Sequence, residues 1–252
     1  MGKFDGILIA CDLDGTLLWE GQASDENRAA IEYFTENGGL FTVATGRAPD
    51  FIEKLNVPVN APMIAINGNL IYDSITKSVI ENYTFPASTV SVVQELVSRV
   101  KLQSVHIHSM TSYPFPQPKP ADFEGFDKPI NKIVFVFDTE AEALSAKAEL
   151  TEKHSPDFVF ERSWPTGLEM RSSAGGKGVC LKKLKSLTGA KCTVAVGDYE
   201  NDMSMLKAAD ISYAPSNGHP DVLKAVDRVT VHCRDHVIAA IVNEMSQKGF
   251  DF

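Results

Sequence analysis

The chain has 252 residues, of which 24 are Lys or Arg and 33 are Asp or Glu, 44% are hydrophobic and 23% are charged. This composition is that of an ordinary folded protein and argues against a disordered, collagen-like or coiled-coil chain. The formal net charge of −9 also argues against a protein that binds nucleic acid through a basic face.

The length allows one large domain or two smaller ones. The apolar runs are far shorter than the about 20 residues that cross a bilayer, so no membrane partner is expected. The four cysteines form no C-x-x-C pair, which disfavours a zinc site or a disulfide framework. We therefore expect a cytoplasmic protein, and the sequence does not specify its oligomeric state.

Predicted strands and helices alternate in the first third of the chain. Continuous apolar runs predict strands, and Ser24 is placed to cap the first helix. The predicted elements are strands at 7–11, 40–44 and 63–66 and helices at 24–37 and from about 49.

The same alternation resumes in the last third of the chain. Its predicted elements are helices at 177–188 and 201–208, a strand at 192–196 and short strands near 211 and 229. Strands that are apolar on both faces and alternate with helices predict a parallel sheet with helices on both sides. The predicted fold is α/β, with a doubly wound, Rossmann-like parallel sheet as its core.

A segment with a different, α+β arrangement of predicted strands and helices separates the two alternating series. Its predicted elements are helices at 87–101 and 140–154 and strands near 105 and at 133–137, 158–161 and 168–171. The predicted organisation is a core of residues 1–82 and 172–252 with an inserted cap domain of residues 83–171. Alternate prolines between 113 and 120 predict an extended surface loop and exclude a central strand; a role in substrate gating is the alternative.

The strongest chemical signal is the segment Asp12-Leu13-Asp14-Gly15-Thr16, which directly follows a predicted buried strand. Ligands of doubly wound folds bind beyond the carboxyl ends of the strands. Two neighbouring carboxylates repel each other and bind phosphate poorly alone, but Mg²⁺, which takes oxygen ligands, would join them. One carboxylate would then act as nucleophile and the other as general acid and base. An ordinary Asp-Gly turn is the alternative for this segment taken alone.

Three further segments carry groups that suit a phosphate ester. Thr45-Gly46-Arg47 offers a hydroxyl, a backbone amide and a guanidinium for phosphate oxygens. Lys177 opens a predicted helix, whose N-terminus also favours an anion. Residues 197–202 follow another predicted strand and add carboxylate oxygens. Each segment alone is a weak signal, but their shared position at strand and helix ends makes the set a strong indication of a phosphate site.

In this order, the four segments resemble the haloacid dehalogenase superfamily of phosphohydrolases. The first motif is matched by residues 12–16, the second by Thr45, the third by Lys177, and the fourth by Gly197, Asp198 and Asp202. The inserted domain looks like the cap of the Cof-type, class IIB branch. The segment Ile66-Asn67-Gly68 resembles the Asn-Gly segment of that branch.

The resemblance implies an Mg²⁺-dependent phosphatase that forms an aspartyl-phosphate. Asp12 would attack phosphorus, and Asp14 would protonate the leaving oxygen and then activate water. Thr45 and Lys177 would hold the phosphoryl group. The implied Mg²⁺ ligands are Asp12, Asp14 through its backbone carbonyl, Asp198, and Asp202 either directly or through water. The expected phosphate and substrate contacts in the core are Thr45, Gly46, Arg47, Asn67, Lys177 and Asn201.

Substrate selection is expected from the cap. Glu169 and Arg171 share one face of a predicted strand, as do His106 and His108, because side chains alternate along a strand. We hypothesise that some of these residues turn toward the leaving group. For the histidines, pairing across the sheet or exposure to solvent is the alternative.

The expected reaction is hydrolysis of a small phosphate monoester, with a sugar phosphate or a related metabolite as substrate. Two other functions stay open at this point. A phosphosugar mutase would return the phosphoryl group to the sugar, and a regulatory protein would bind a phosphosugar without catalysis. The intact set of Asp12, Asp14, Lys177 and Asp198 favours the enzyme.

Overall fold

A computed structural model describes residues 2–85, 87–109 and 111–248. The strands are β1 (Ile7–Cys11), β2 (Leu18–Trp19), β3 (Gln22–Ala23), β4 (Leu40–Val43), β5 (Met63–Ala65), β6 (Leu70–Asp73), β7 (Ser78–Asn82), β8 (Ser104–Ser109), β9 (Thr111–Pro116), β10 (Lys132–Val136), β11 (Phe158–Trp164), β12 (Gly167–Ser172), β13 (Cys192–Val196), β14 (Ile211–Pro215) and β15 (Arg228–Thr230). The α-helices are α1 (Asp25–Glu36), α2 (Pro49–Lys54), α3 (Val90–Arg99), α4 (Glu140–His154), α5 (Lys177–Thr188), α6 (Met203–Leu206), α7 (Pro220–Ala225) and α8 (Val237–Lys248). Short 3-10 turns lie at Ile66–Gly68, Ala87–Thr89, Pro120–Phe123, Glu200–Asp202 and Cys233–Asp235.

The chain forms two compact units. The core unit consists of Met1–Glu81 and Gly176–Phe252, and the insert unit of Asn82–Gly175. The roles expected for them, catalysis in the core unit and substrate selection in the insert unit, stay predictions. No helix in the three described ranges combines the length and the apolar character needed to cross a bilayer.

A parallel five-stranded sheet forms the centre of the core unit, as predicted. Its strand order is β15-β14-β13-β1-β4, and each neighbouring pair is parallel. Every residue of β1 and of β13 is buried, which explains why β1 is apolar on both faces and β13 is apolar except for Thr193. Helix α1 packs against α8, and α5 packs against α6 and β13. The sheet therefore brings the ends of its two central strands to one edge.

The predicted strand at 63–66 does not belong to this parallel sheet. It is β5, which pairs antiparallel with β6 in a three-stranded sheet with β7, and a single parallel bridge joins Ile64 to Ala44. The strand ends at Ala65 because the next two residues, Ile66 and Asn67, have φ angles of 51° and 52°. This left-handed backbone reverses the chain into β6.

The predicted helix at 201–208 is also shorter than expected. The structure has a 3-10 turn at Glu200–Asp202 followed by the one-turn helix α6. The side chain of Asp202 accepts the backbone N–H groups of Asp198 and Tyr199. It thereby holds the start of the segment as a turn.

The insert unit is an antiparallel sheet with two helices, as the α+β prediction required. The strand order is β11-β12-β10-β8-β9, and one face buries aliphatic and aromatic side chains together with those of α3 and α4. The cross-strand register places polar side chains together on the other face. These side chains are His106, His108, Lys132, Glu161, Glu169 and Arg171.

The proline-rich stretch is partly a strand, so the prediction of a loop from 113 onward is wrong for its first residues. β9 pairs with β8 at the edge of the insert sheet. Pro114 and Pro116 occupy alternate positions, so the N–H groups of Tyr113 and Phe115 stay available for the ladder. A proline-bearing strand at a sheet edge agrees with the exclusion of a central strand.

Asn27 joins two helices of the core unit that are far apart in sequence. It lies in α1 and is buried, and its Oδ1 accepts the N–H groups of Ile238 and Ala239 at 2.9 and 3.2 Å. These N–H groups belong to the first turn of α8, which has no intrahelical acceptor for them. Asn27 therefore caps α8 from α1.

We expect Asn27→Ala to lower the free energy of unfolding by about 2 kcal/mol, because two buried N–H groups lose their acceptor. Asn27→Asp keeps an oxygen at the same place and adds a favourable charge at a helix N-terminus, so its loss should be smaller. Urea unfolding followed by circular dichroism measures both. Equal losses in the two variants would contradict the capping role.

Candidate active site

Strand β1 delivers Asp12 to the carboxyl edge of the parallel sheet. The Asp12 N–H continues the strand pairing by donating to the carbonyl of Val196, the last residue of β13, at 2.8 Å. Asp12 is 6% exposed. Because β1 is fully buried, the position of this carboxylate is set by the sheet.

Lys177 brings a positive charge to the same point. It is the first residue of α5, and its side chain is fully buried. Its Nζ donates to Oδ1 of Asp12 and to Oδ1 of Asp202, at 2.6 Å in each case. One ammonium thus joins the end of β1 to the loop after β13.

The loop after β13 is held by Asp202 and presents Asp198. Oδ2 of Asp202 accepts the N–H groups of Asp198 and Tyr199 at 3.0 and 3.1 Å. Oδ1 of Asp198 accepts the hydroxyl of Thr16 at 2.9 Å. Both oxygens of Asp202 are therefore bonded within the site, one to Lys177 and one to the backbone.

Negative charge is in excess in this cluster. Burial lowers the pKa of Lys177, but the charges of Asp12 and Asp202 outweigh that effect and raise the pKa above its usual value, so the lysine is an ammonium. Burial raises the pKa of Asp198 to about 7, and the neighbouring Asp202 charge acts in the same direction. Burial likewise raises the pKa of Asp12. Three carboxylates facing one ammonium favour the arrival of a further cation.

The donor set fits a hard divalent cation. One oxygen from each of Asp12, Asp198 and Asp202 lies within 4.8 Å of the others. Oxygen ligands of Mg²⁺ lie about 2.1 Å from the ion, so opposite ligands are about 4.2 Å apart. Mg²⁺ also keeps several waters, which agrees with a ligand set in which Asp202 is already bonded through both oxygens.

Arg47 holds Asp14 in a two-pronged ion pair. Nε and Nη2 of Arg47 lie 2.7 and 2.5 Å from the two carboxylate oxygens of Asp14. The guanidinium carbon lies 3.8 Å from the ring centre of Phe51, a geometry that stabilises a cation. Both partners of this pair are partly exposed, so they are accessible to a ligand.

The segment Thr45-Gly46-Arg47 follows β4 and is fixed by its backbone. The N–H of Thr45 donates to the carbonyl of Ile64 at 2.9 Å, and the N–H of Asn67 donates to the carbonyl of Thr45 at 2.8 Å. The Thr45 hydroxyl accepts the N–H of Arg47 at 3.2 Å. Gly46 lies inside this turn, and Thr45 is buried.

Asn67 and Asn201 lie beside the cluster and contact each other. Nδ2 of Asn201 donates to Oδ1 of Asn67 at 3.2 Å, and both residues are buried. Asn201 directly precedes Asp202, which binds Lys177. The structure thus brings the predicted core residues together in one unit.

The predicted residues of the insert unit are bonded within that unit. Glu169 accepts Lys132 Nζ at 3.1 Å and the Ser163 hydroxyl at 2.9 Å. Arg171 donates from Nε and Nη2 to both carboxylate oxygens of Glu161, at 2.8 Å each. Both Glu169 and Arg171 are buried. A role for either residue in substrate binding stays a prediction.

The two histidines are poor cations in this environment. Burial lowers the pKa of His108 to about 3, and the charge of Lys132 acts in the same direction. Burial also lowers the pKa of His106, whose Nε2 lies 3.0 Å from the Ser104 hydroxyl. At neutral pH both rings are therefore neutral.

Sequence reasoning assigned no role to several residues that shape the site. Thr16 binds Asp198, and Phe51 lies under Arg47. Asn217, in an Asn-Gly pair after β14, donates to the carbonyl of Gly15 at 2.8 Å and accepts the N–H of Cys233 at 2.8 Å. The Asn-Gly pair signals a turn, but its partners are distant in sequence.

The sequence is similar to known proteins along nearly its whole length. The model of the haloacid dehalogenase-like hydrolase family matches residues 9–242. A 5-amino-6-(5-phospho-D-ribitylamino)uracil phosphatase of Bacillus subtilis, YcsE, is 26% identical over 242 residues, which cover 93% of this chain and 94% of that protein. Phosphoglycolate phosphatase 2 of Saccharolobus solfataricus is 26% identical over 257 residues, which cover 97% and 94% of the two chains.

Solved structures share the fold. A haloacid dehalogenase-like hydrolase from B. subtilis aligns with a TM-score of 0.82 at 22% identity, covering 94% of this chain and 99% of its own. The subclass IIB sugar phosphatase BT4131 aligns with a TM-score of 0.77 at 20% identity, covering 96% and 98%.

We expect Asp198→Asn to stabilise the protein in EDTA at pH 8. The folded-state pKa of about 7 lies above the ordinary value of 3.8, so the ionised carboxylate costs stability above pH 7 and this cost is absent below pH 3.8. The gain in free energy of unfolding should be about 2–4 kcal/mol at pH 8 and should shrink as the pH falls toward 4. Urea unfolding at several pH values measures it.

Asp73→Asn is the control with the opposite sign. Asp73 accepts the N–H groups of Ile75 and Thr76, and these bonds lower its pKa, so its loss should destabilise the protein at pH 8. A less stable Asp198→Asn variant at pH 8 would show that the acidic cluster does not carry excess charge.

Proposed function

The chain belongs to the haloacid dehalogenase-like hydrolases and is a phosphatase of that family, and we propose that it hydrolyses a small sugar phosphate or related monoester with Mg²⁺ through an aspartyl-phosphate. The observation that carries this proposal is the cluster in which Lys177 binds Asp12 and Asp202 beside Asp198. It joins a carboxylate nucleophile, a fixed ammonium and oxygen ligands for a hard cation.

In the first half of the reaction, an Asp12 carboxylate oxygen attacks phosphorus and the bond from phosphorus to the leaving oxygen breaks. Phosphate oxygens draw Arg47 from its ion pair with Asp14, and Asp14, then protonated, gives its proton to the leaving oxygen, so the alcohol leaves neutral. Lys177 orients Asp12 through Oδ1 and offsets the charge of the phosphoryl group. Bound Mg²⁺ would neutralise phosphate oxygens and lower the barrier to attack by an anion.

In the second half, Asp14 takes a proton from water, and the resulting hydroxide attacks the phosphorus of the aspartyl-phosphate. The bond between phosphorus and the Asp12 oxygen breaks, which releases inorganic phosphate and restores the carboxylate. The ion pair of Arg47 with Asp14 would then serve two purposes. It orients Asp14 before the substrate binds, and it places a guanidinium where phosphate oxygens can compete for it.

The remaining core residues support the phosphoryl group and the ligands. We assign the phosphate contacts to Thr45, Gly46, Arg47 and Lys177. We assign the metal ligands to Asp12, Asp14 through its carbonyl, Asp198, and Asp202 directly or through water, since both Asp202 oxygens are already bonded. Asn201 and Asn67 form a buried amide pair next to Asp202 and would act on the same phosphate or on Lys177.

The proposed substrate class rests on the relatives and on the insert unit. Relatives include phosphatases of a phosphoribityl compound and of phosphoglycolate, and one structural neighbour is a sugar phosphatase. All these names describe small phosphorylated metabolites. The polar face of the insert sheet, with Glu169 and Arg171, supplies hydrogen-bonding groups of the kind that recognise sugar hydroxyls.

The direct test is phosphate release from a panel of hexose, pentose, disaccharide and nucleotide phosphates, with Mg²⁺ and with EDTA. We expect turnover with Mg²⁺, and loss of at least about 1,000-fold in kcat for Asp12→Asn, because the amide is a poor nucleophile. Labelled phosphate should stay on the acid-quenched wild-type protein and not on the variant. Unchanged turnover in Asp12→Asn would rule out the mechanism. A mutase would require a bisphosphate and release no phosphate.

Arg171→Ala tests whether the insert unit contributes to substrate selection. We expect it to change the ranking of kcat/KM across the sugar-phosphate panel, while hydrolysis of a simple aryl phosphate changes less, since an aryl group offers no hydroxyls to bind. Arg162→Ala is the matched control. Arg162 is equally buried in the neighbouring strand but pairs with Glu140 of α4, so its loss should leave the ranking unchanged. The same ranking in both variants would remove Arg171 from the proposal.

A further inference from the structure

We propose that Gly68 is a positioning residue for Lys177: the turn at Ile66–Gly68 sets where α5 begins and so holds the ammonium between Asp12 and Asp202. The inference rests on the proposed function, because its effect is on the phosphoryl-transfer step. It concerns a residue that contacts neither the nucleophile nor the cation ligands.

The turn has an unusual backbone conformation, and its backbone lies very close to the start of α5. Ile66, Asn67 and Gly68 have consecutive φ angles of 51°, 52° and 79°, although a β-branched residue disfavours positive φ. A Cβ on Gly68 would overlap the carbonyl carbon of Gly176 and the amide nitrogen of Lys177. The backbone of the turn therefore lies directly against the first residue of α5, at a distance that only glycine permits.

Hydrogen bonds fix the same contact. The carbonyl of Gly68 accepts the N–H of Gly176 at 2.8 Å and the thiol of Cys180 at 3.1 Å. The neighbouring Asn67 accepts Asn201 Nδ2 at 3.2 Å. The turn thus binds the residue before Lys177, the residue one helical turn after it and the residue before Asp202.

A second close contact limits the position of α5 at Gly178. A Cβ on Gly178 would overlap the carbonyl oxygen of Ser204, and the N–H of Gly178 donates to the Ser204 hydroxyl at 3.3 Å. The start of α5 is therefore held by contacts with both the turn and Ser204. A group added at Gly68 has to displace the turn or the start of α5, and we expect this displacement to disturb the two 2.6 Å bonds of Lys177.

The test compares Gly68→Ala with Gly189→Ala. Gly189 ends the same helix with a φ of 69°, and a Cβ there meets nothing within 4 Å, so both variants carry the backbone strain of a positive φ and only Gly68→Ala carries the overlap. We expect kcat for the best panel substrate to fall about 10- to 100-fold in Gly68→Ala with KM changed less than about 3-fold. Gly189→Ala should keep kcat within about 2-fold.

A double-mutant cycle separates positioning from general damage. If Gly68 acts through Lys177, Gly68→Ala should cost little further kcat in a Lys177→Met background, whereas independent effects would multiply. Rates are expressed per folded molecule, with the folded fraction taken from urea unfolding. Multiplying losses, or an equal fall in kcat for Gly189→Ala, would overturn the proposal.

A milder variant covers the case in which Gly68→Ala does not fold. Cys180→Ala removes one bond to the Gly68 carbonyl without any overlap, and we expect kcat to fall about 2- to 5-fold with KM unchanged. Cys192→Ala, a buried cysteine of β13, is its control and should change kcat less. Equal kcat values in the two cysteine variants would count against the turn as a positioning element.

Failure of the proposed function is distinguishable from failure of this inference. If the wild-type protein releases phosphate from no substrate, the proposed function fails. The double-mutant cycle of Gly68→Ala and Lys177→Met is then measured as changes in the midpoint of urea unfolding. A shift for Gly68→Ala that depends on whether Lys177 is present supports the positioning role without any activity. Additive shifts reject it.

Discussion

The buried ammonium of Lys177 is the interaction on which the rest of the site depends. Its Nζ lies 2.6 Å from a carboxylate oxygen of Asp12 and of Asp202, and an unpaired ammonium at this depth would cost several kcal/mol. The core unit therefore has to bring two carboxylates to one point. The parallel sheet does so because β1 and β13 are neighbours and end at the same edge.

Within the core unit, the residues that stabilise the fold are different from the residues proposed to react. The two strands that carry the site are buried and, apart from Thr193, apolar, while the charged groups lie just beyond their ends. The excess negative charge around Asp198, whose burial raises its pKa to about 7, is a local cost that the hydrophobic core can offset. Without a bound cation, the carboxylates that would bind the metal therefore lower the free energy of unfolding.

The chemistry of the site could be predicted from the sequence because its groups directly follow apolar strands or open a helix. Asp12 and the segment after β13 need only the parallel topology to meet. The turn at Ile66–Gly68 could not be predicted in this way, since an isoleucine at positive φ contradicts local preference and reflects contact with α5. The ion pairs of Arg47 with Asp14 and of Arg171 with Glu161 also depend on three-dimensional register that spacing does not reveal.

Charge is distributed differently in the two units. The groups proposed for phosphoryl transfer all lie in the core unit, where Lys177 binds Asp12 and Asp202. In the insert unit, Arg171 is paired with Glu161, Lys132 with Glu169, and the nearby histidines are neutral. A mutually neutralised polar face offers directional hydrogen bonds without a strong field of its own. It therefore differs in kind from the cluster around Lys177, in which negative charge exceeds positive charge.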